Sequence, residues 1–135
     1  MYKLFIADDE AIIREGLRCL LDWETLGFTI AGEAANGDAA LQFLLSETPD
    51  LVLLDIRMPG MSGLDVVRIA REHGYDGKVV ILSGYSDFNY ARTAIRYGVL
   101  SYLTKPIDED ELLEIVTQIR HQLDSDASAR DSSAH

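Results

Sequence analysis

Five times along this chain a short run of aliphatic and β-branched residues gives way to a longer stretch with helical spacing, and no other feature narrows the fold so far. That alternation predicts repeated strand-helix units and a parallel sheet, an α/β fold. The predicted strands are Lys3 to Ala7, Phe28 to Glu33, Leu51 to Leu54, Val79 to Leu82 and Leu100 to Leu103. Several are apolar on both faces, so helices must cover both sides of the sheet. Ile12, Ile13, Leu17, Leu20 and Leu21 form one helical stripe, Ala40, Leu41, Leu44 and Leu45 a second, and Leu112, Val116, Ile119 and Leu123 a third. Asn36-Gly37-Asp38, Pro59-Gly60 and Ser62-Gly63 supply turn or cap chemistry, and Gly98 a left-handed stop for the helix after Ser86.

A length of 135 residues suits one domain. It is predicted to span 1–123, because no large apolar residue follows Leu123, and 124–135 reads as a disordered tail or truncated linker. With 12 basic and 23 acidic residues the net charge is -11, which repels phosphate backbones and anionic headgroups. Direct nucleic acid binding by this chain and membrane association are therefore not expected. Leu4 to Ala7 runs straight into Asp8, Asp9 and Glu10, unlike a secretory signal, and no apolar run approaches membrane-spanning length. The one cysteine, Cys19, allows neither an internal disulfide nor a Cys-rich zinc site, so a cytoplasmic setting is expected.

In a parallel α/β sheet the ligand site lies beyond the carboxyl ends of the strands. Asp8 and Asp9 follow the first predicted strand, Asp55 the third and Ser83 the fourth, while Lys105 comes two residues after the fifth. Three carboxylates in one cleft repel one another unless a cation neutralises them. All candidate ligands are oxygens, with no His or Cys near the strand ends, which selects a hard ion such as Mg²⁺. Mg²⁺ favours a phosphoryl oxygen as a further ligand; Lys105 then offers a charge, and Ser83 a hydroxyl, to two others. Asp55, isolated after the most hydrophobic strand, is the expected nucleophile, with an aspartyl phosphate as its product. Each residue taken alone has an ordinary explanation: Asp9 could cap the next helix, Ser83 could serve a turn and Lys105 a solvated loop. The inference rests on the constellation.

These residues resemble the receiver domain of bacterial two-component response regulators over Met1 to Leu123. The resemblance is carried by Phe-Ile-Ala-Asp-Asp-Glu at 5–10, Leu-Val-Leu-Leu-Asp-Ile-Arg-Met-Pro-Gly-Met-Ser-Gly-Leu at 51–64, Ile-Leu-Ser-Gly-Tyr at 81–85 and Tyr-Leu-Thr-Lys-Pro at 102–106. It implies a doubly wound, flavodoxin-like five-stranded sheet in order 2-1-3-4-5 with five helices. It also implies Asp55 as phosphoacceptor, Asp8 and Asp9 as the acidic Mg²⁺ site, and the backbone carbonyl of Arg57 as a further metal ligand. Ser83 and Lys105 would contact the phosphoryl group, Tyr102 would be the aromatic switch, and Lys105-Pro106 a cis peptide. The implied partner is a sensor histidine kinase; phosphorylation would change the surface of the fourth helix, fifth strand and fifth helix, with a phosphorylation-dependent homodimer formed through the face containing the fifth helix. The chain would be a regulatory phosphoacceptor rather than an enzyme, limited to self-phosphorylation from small phosphodonors and self-dephosphorylation. The stretches 21–28 and 83–91 are similar to receivers attached to AraC-type helix-turn-helix output domains, and no such domain lies within these residues.

A haloacid dehalogenase type of hydrolase would also use an aspartyl phosphate, but it wants a second Asp where this chain has Arg57. A binding module that has lost phosphorylation is disfavoured by the complete set of site residues. Trp23 and Phe28 are expected to pack, Cys19 to be structural near the first helical stripe, and His73, His121 and His135 to be solvated.

Overall fold

Each of the five apolar runs becomes a strand of one parallel sheet, in order β2-β1-β3-β4-β5. The computed structural model describes residues 1–84 and 88–133. Tyr85, in the third of the sequence motifs, and His135 lie outside them. The elements run β1 (Tyr2–Ala7), α1 (Ala11–Leu20), α2 (Trp23–Leu26), β2 (Phe28–Ala34), α3 (Gly37–Glu47), β3 (Leu51–Asp55), α4 (Gly63–Glu72), β4 (Lys78–Ser83), α5 (Phe88–Arg96), β5 (Ser101–Thr104) and α6 (Glu109–Ser133).

Alternate residues of each central strand enter two separate cores, as a sheet covered on both faces requires. Phe5, Val52, Leu54, Val79 and Ile81 pack with Leu44, Val66 and Val67 of α3 and α4. Leu4, Ile6, Leu51, Leu53, Val80 and Leu82 pack with Leu17 of α1 and with Leu112, Val116 and Ile119 of α6. At the β1–β2 edge the register shifts between Leu4 and Phe5, opposite Gly32. A side chain at Gly32 would collide with the Phe43 ring, which stacks on Phe5 at 4.3 Å between centroids. The missing Cβ is what lets the two rings meet.

Six helices are present among the described residues, one more than expected. The extra one is the short α2, which forms because Asp22 accepts from the Thr25 hydroxyl at 2.7 Å and Gly27, at φ 94°, closes the far end. The fourth and fifth helices of the expectation are therefore α5 and α6. Trp23 on α2 is buried and donates its indole N–H to the Leu17 carbonyl, and Phe28 is fully buried, as expected. Two stripe residues are not core residues: Ile12 is 77% and Leu45 38% exposed. Each sits one residue, about 100° of helix turn, away from the inward positions Ile13 and Leu44. Cys19 is exposed for the same reason, two positions round from the buried Leu17, so it has no packing role.

Beyond Leu123 the backbone stays helical to Ser133, where composition predicted irregular chain. Side chains explain the first turn. Asp124 accepts from the Tyr2 hydroxyl and from Arg120, and Asp126 pairs with Lys78 at 3.1 Å. Ala127 then favours continued helix.

Candidate functional site

Pairing strands in parallel brings their carboxyl ends to one edge, and that edge carries the predicted polar residues. Asp8 and Asp9 directly follow β1; Asp8 is 1% exposed while Asp9 is exposed. Asp55 closes β3 and Ser83 closes β4, both buried; Lys105 directly follows β5. One oxygen each from Asp8, Asp9 and Asp55 lies within 4.8 Å of the others. The Lys105 ammonium enters the same group, donating to Asp8 Oδ2 at 2.7 Å and lying 3.4 Å from Asp55 Oδ1.

The buried pair is held by backbone as well as charge. Asp8 Oδ1 accepts from the Glu10 amide at 2.9 Å, and the Arg14 guanidinium donates to the Asp8 carbonyl at 2.6 Å. Glu10, not Asp9, is the N-cap residue of α1, which sets aside the reading of Asp9 as its cap. Lys105 is positioned from the neighbouring strand, its amide donating to the Ser83 carbonyl at 2.7 Å, and the Lys105-Pro106 bond is cis.

The loop from Ile56 to Ser62 returns the chain tightly beneath Asp55. The Gly63 amide donates to the Ile56 carbonyl at 2.7 Å, and a Cβ on Gly63 would lie 2.2 Å from the Asp55 carbonyl oxygen. Only glycine fits there. Ser62 caps α4 by accepting from the Asp65 amide. Arg57 is exposed and bounds a shallow cleft with Asp9, Met58 and Pro59. Tyr102, partly buried on β5, pairs with Ile81 and packs against the core that contains it.

Electrostatics follows from this crowding. Burial pushes the Asp55 carboxyl up, Lys105 pulls it down and Asp8 and Asp9 push it up, which together leave it at about 6. Burial alone would lower Lys105, yet its hydrogen bond to Asp8 and the charges of Asp55 and Asp8 leave it above its ordinary value. A single ammonium does not balance three carboxylates, and an all-oxygen donor set of this size fits a hard divalent cation.

Asp8, Asp9, Asp55 and Lys105 thus converge, with Ser83 at the same edge and Tyr102 further down β5. Arg14 and Gly63 are supports that sequence reasoning missed. Ser62-Gly63 reads as a turn, and its approach to Asp55 emerges only once β3 and α4 are folded together. Arg14 and Arg18 share a helix face, and both pair with Glu33 on β2; that spacing was the available signal.

The chain belongs to the response regulator receiver domain family, whose model matches residues 4–117. It is 36% identical over 126 residues to the uncharacterized transcriptional regulatory protein YesN of Bacillus subtilis, covering 90% of this chain and 34% of that protein. It is 40% identical over 119 residues to the transcriptional regulatory protein HptR of Staphylococcus aureus, covering 88% and 46%. Among solved structures it superposes on the REC domain of AraT, a response regulator from Geobacillus stearothermophilus. The TM-score is 0.87 at 39% identity, over 93% of this chain and 98% of that one. The chain spans about half or less of the curated relatives it matches. It is a receiver domain of a two-component response regulator, and receiver domains are regulatory phosphoacceptors. No described helix is long and apolar enough to cross a membrane.

Proposed function

We propose that Asp55 accepts a phosphoryl group from the histidine of a sensor kinase and that the resulting aspartyl phosphate changes the surface formed by α5, β5 and α6. The observation that carries this is the convergence of three carboxylates within 4.8 Å around one lysine at the carboxyl edge of the sheet. Asp55 Oδ attacks phosphorus, the P–N bond breaks, and its electron pair returns to the imidazole of the donor. Asp8, Asp9, Asp55 and the Arg57 backbone carbonyl would hold Mg²⁺, which supplies positive charge to the phosphoryl oxygens.

Lys105 already sits at Asp55, so its ammonium needs little movement to follow the negative charge onto a phosphoryl oxygen. The Ser83 hydroxyl, at the end of the neighbouring strand, donates to another and draws the β4 end toward the phosphate. Tyr102 then turns inward on the adjacent strand. Exposed Ile95 and Leu100 lie on the surface that responds and suit a phosphorylation-dependent homodimer. The helical stretch after Leu123 is read as a linker to a transcription-regulating output domain, in a cytoplasmic protein.

Acetyl phosphate with Mg²⁺ should add the mass of one phosphoryl group to the chain, and chelation of the metal should abolish the addition. Equal phosphorylation with and without metal would contradict the proposed site.

A further inference from the structure

On α4, away from the phosphorylation site, the Arg71 guanidinium gathers the ends of two helices. Its Nε donates to the Tyr97 carbonyl at 3.1 Å and one terminal nitrogen to the Tyr75 carbonyl at 2.9 Å. The other reaches the Gly98 carbonyl at 3.4 Å. Tyr97 and Gly98 close α5, while Tyr75 follows the end of α4, so one cation faces the negative ends of both helix dipoles. Three donors of one planar guanidinium reach three separate carbonyls, which the single ammonium of a lysine is poorly shaped to do.

Apart from Tyr97 and Val99, which pack part-buried against the core under α3 and α4, the far end of α5 buries little apolar surface. Of residues 92–96 only Ala94 is buried, and an alanine buries little apolar area. Gly98, at φ 73°, ends the helix, with its amide donating to the Ile95 carbonyl and the Val99 amide to that of Ala94. Two residues on, the Leu100 amide donates to the Val79 carbonyl and the chain enters β5. Arg71 is thus tied to the one turn that joins α5 to the strand bearing Tyr102.

Resting on the phosphoacceptor reading above, we propose that Arg71 pins the carboxyl-terminal end of α5, so that phosphorylation of Asp55 swings α5 about that end rather than sliding it as a whole. Arg71 is a positioning residue, and it sets the direction in which the responding surface is displaced.

The test compares the parent chain, Arg71→Ala and Arg71→Lys by amide hydrogen exchange, with Mg²⁺ and with or without beryllofluoride, alongside the intact mass after acetyl phosphate treatment. In the parent, exchange over 88–93 should change with beryllofluoride while 95–99 stays within about twofold. Arg71→Ala should gain the phosphoryl mass as the parent does, yet exchange about tenfold faster at Gly98 and Val99, which now respond to beryllofluoride. Arg71→Lys should fall between them; it and the parent pattern decide the matter should the alanine variant not fold. A parent that takes up phosphate and responds equally at both ends of α5 overturns the pin alone, as do variants that exchange like the parent. A parent that gains no mass overturns the phosphoacceptor reading and the pin with it.

Discussion

The Lys105 ammonium donates to the buried Asp8 carboxylate at 2.7 Å, joining the end of β5 to the end of β1 across 97 residues of chain. The same ammonium also lies 3.4 Å from Asp55 Oδ1, so it offsets part of the charge of the three acids at this edge of the sheet. Removing one partner of a buried pair leaves the other charge uncompensated. Lys105→Ala should therefore lose about 3–5 kcal/mol of stability in metal-free buffer, measured by urea unfolding. Mg²⁺ should restore more stability to this variant than to the parent. An unchanged midpoint without metal would show that the contact contributes nothing.

Asp8 and Asp9 should separate in the same measurement. Asp9 is exposed, so Asp9→Ala relieves repulsion, leaves metal-free stability level or raised, and weakens Mg²⁺ binding. Asp8 accepts from both Lys105 and the Glu10 amide, so Asp8→Ala should weaken Mg²⁺ binding and also lower metal-free stability. Equal effects on stability would contradict the asymmetry of the two carboxylates.

Asp55 gives a pH signature. Its carboxyl is raised from 3.8 to about 6, so through that window the folded protein holds a proton that the unfolded chain releases. Metal-free stability should fall as pH rises through the window and stay lower above it. Asp55→Asn should remove this dependence and be about 2 kcal/mol more stable at neutral pH. A parent whose stability instead rises with pH there would place Asp55 in a more polar setting than its burial indicates.

Strand ends were the most legible part of this chain. Asp8, Asp9, Asp55 and Ser83 each end an apolar run, and a parallel sheet sends such residues to one edge whatever the details of its helices. The sheet order came from the family resemblance rather than from periodicity, since a strand apolar on both faces does not name its neighbours. Ile12 was misplaced because two adjacent isoleucines both fit a helical stripe, and only docking against β1 decides between them. The helical continuation past Leu123 was not legible, since the contacts of Asp124 with Tyr2 and of Asp126 with Lys78 join residues that no local pattern connects. Gly63 was hidden for a related reason, its constraint being a backbone oxygen eight residues earlier.

Gly63→Ala tests that constraint with opposite signs. At the first position of a free helix alanine should stabilise by up to about 1 kcal/mol. Here its Cβ would lie 2.2 Å from the Asp55 carbonyl oxygen, so a loss of about 1–3 kcal/mol is expected. Phosphate uptake from acetyl phosphate should slow as Asp55 is displaced. A stabilised variant with unchanged uptake would show that the loop yields freely.

Coupling should part from chemistry at Ser83. Ser83→Ala keeps the carboxylates and Lys105, so it should still take up phosphate, while phosphate-driven self-association seen by light scattering weakens. Dimerisation as ready as the parent's would remove the hydroxyl from the mechanism.

The most direct measurement locates the phosphoryl group itself. After treatment with acetyl phosphate and Mg²⁺, borohydride reduction converts an aspartyl phosphate to homoserine, which peptide mass spectrometry can place in the sequence. The expected product is homoserine at position 55 alone, absent when Asp55→Asn is treated in the same way. Homoserine at Asp8 or Asp9, or undiminished labelling of Asp55→Asn, would contradict the assignment of Asp55 as the phosphoacceptor.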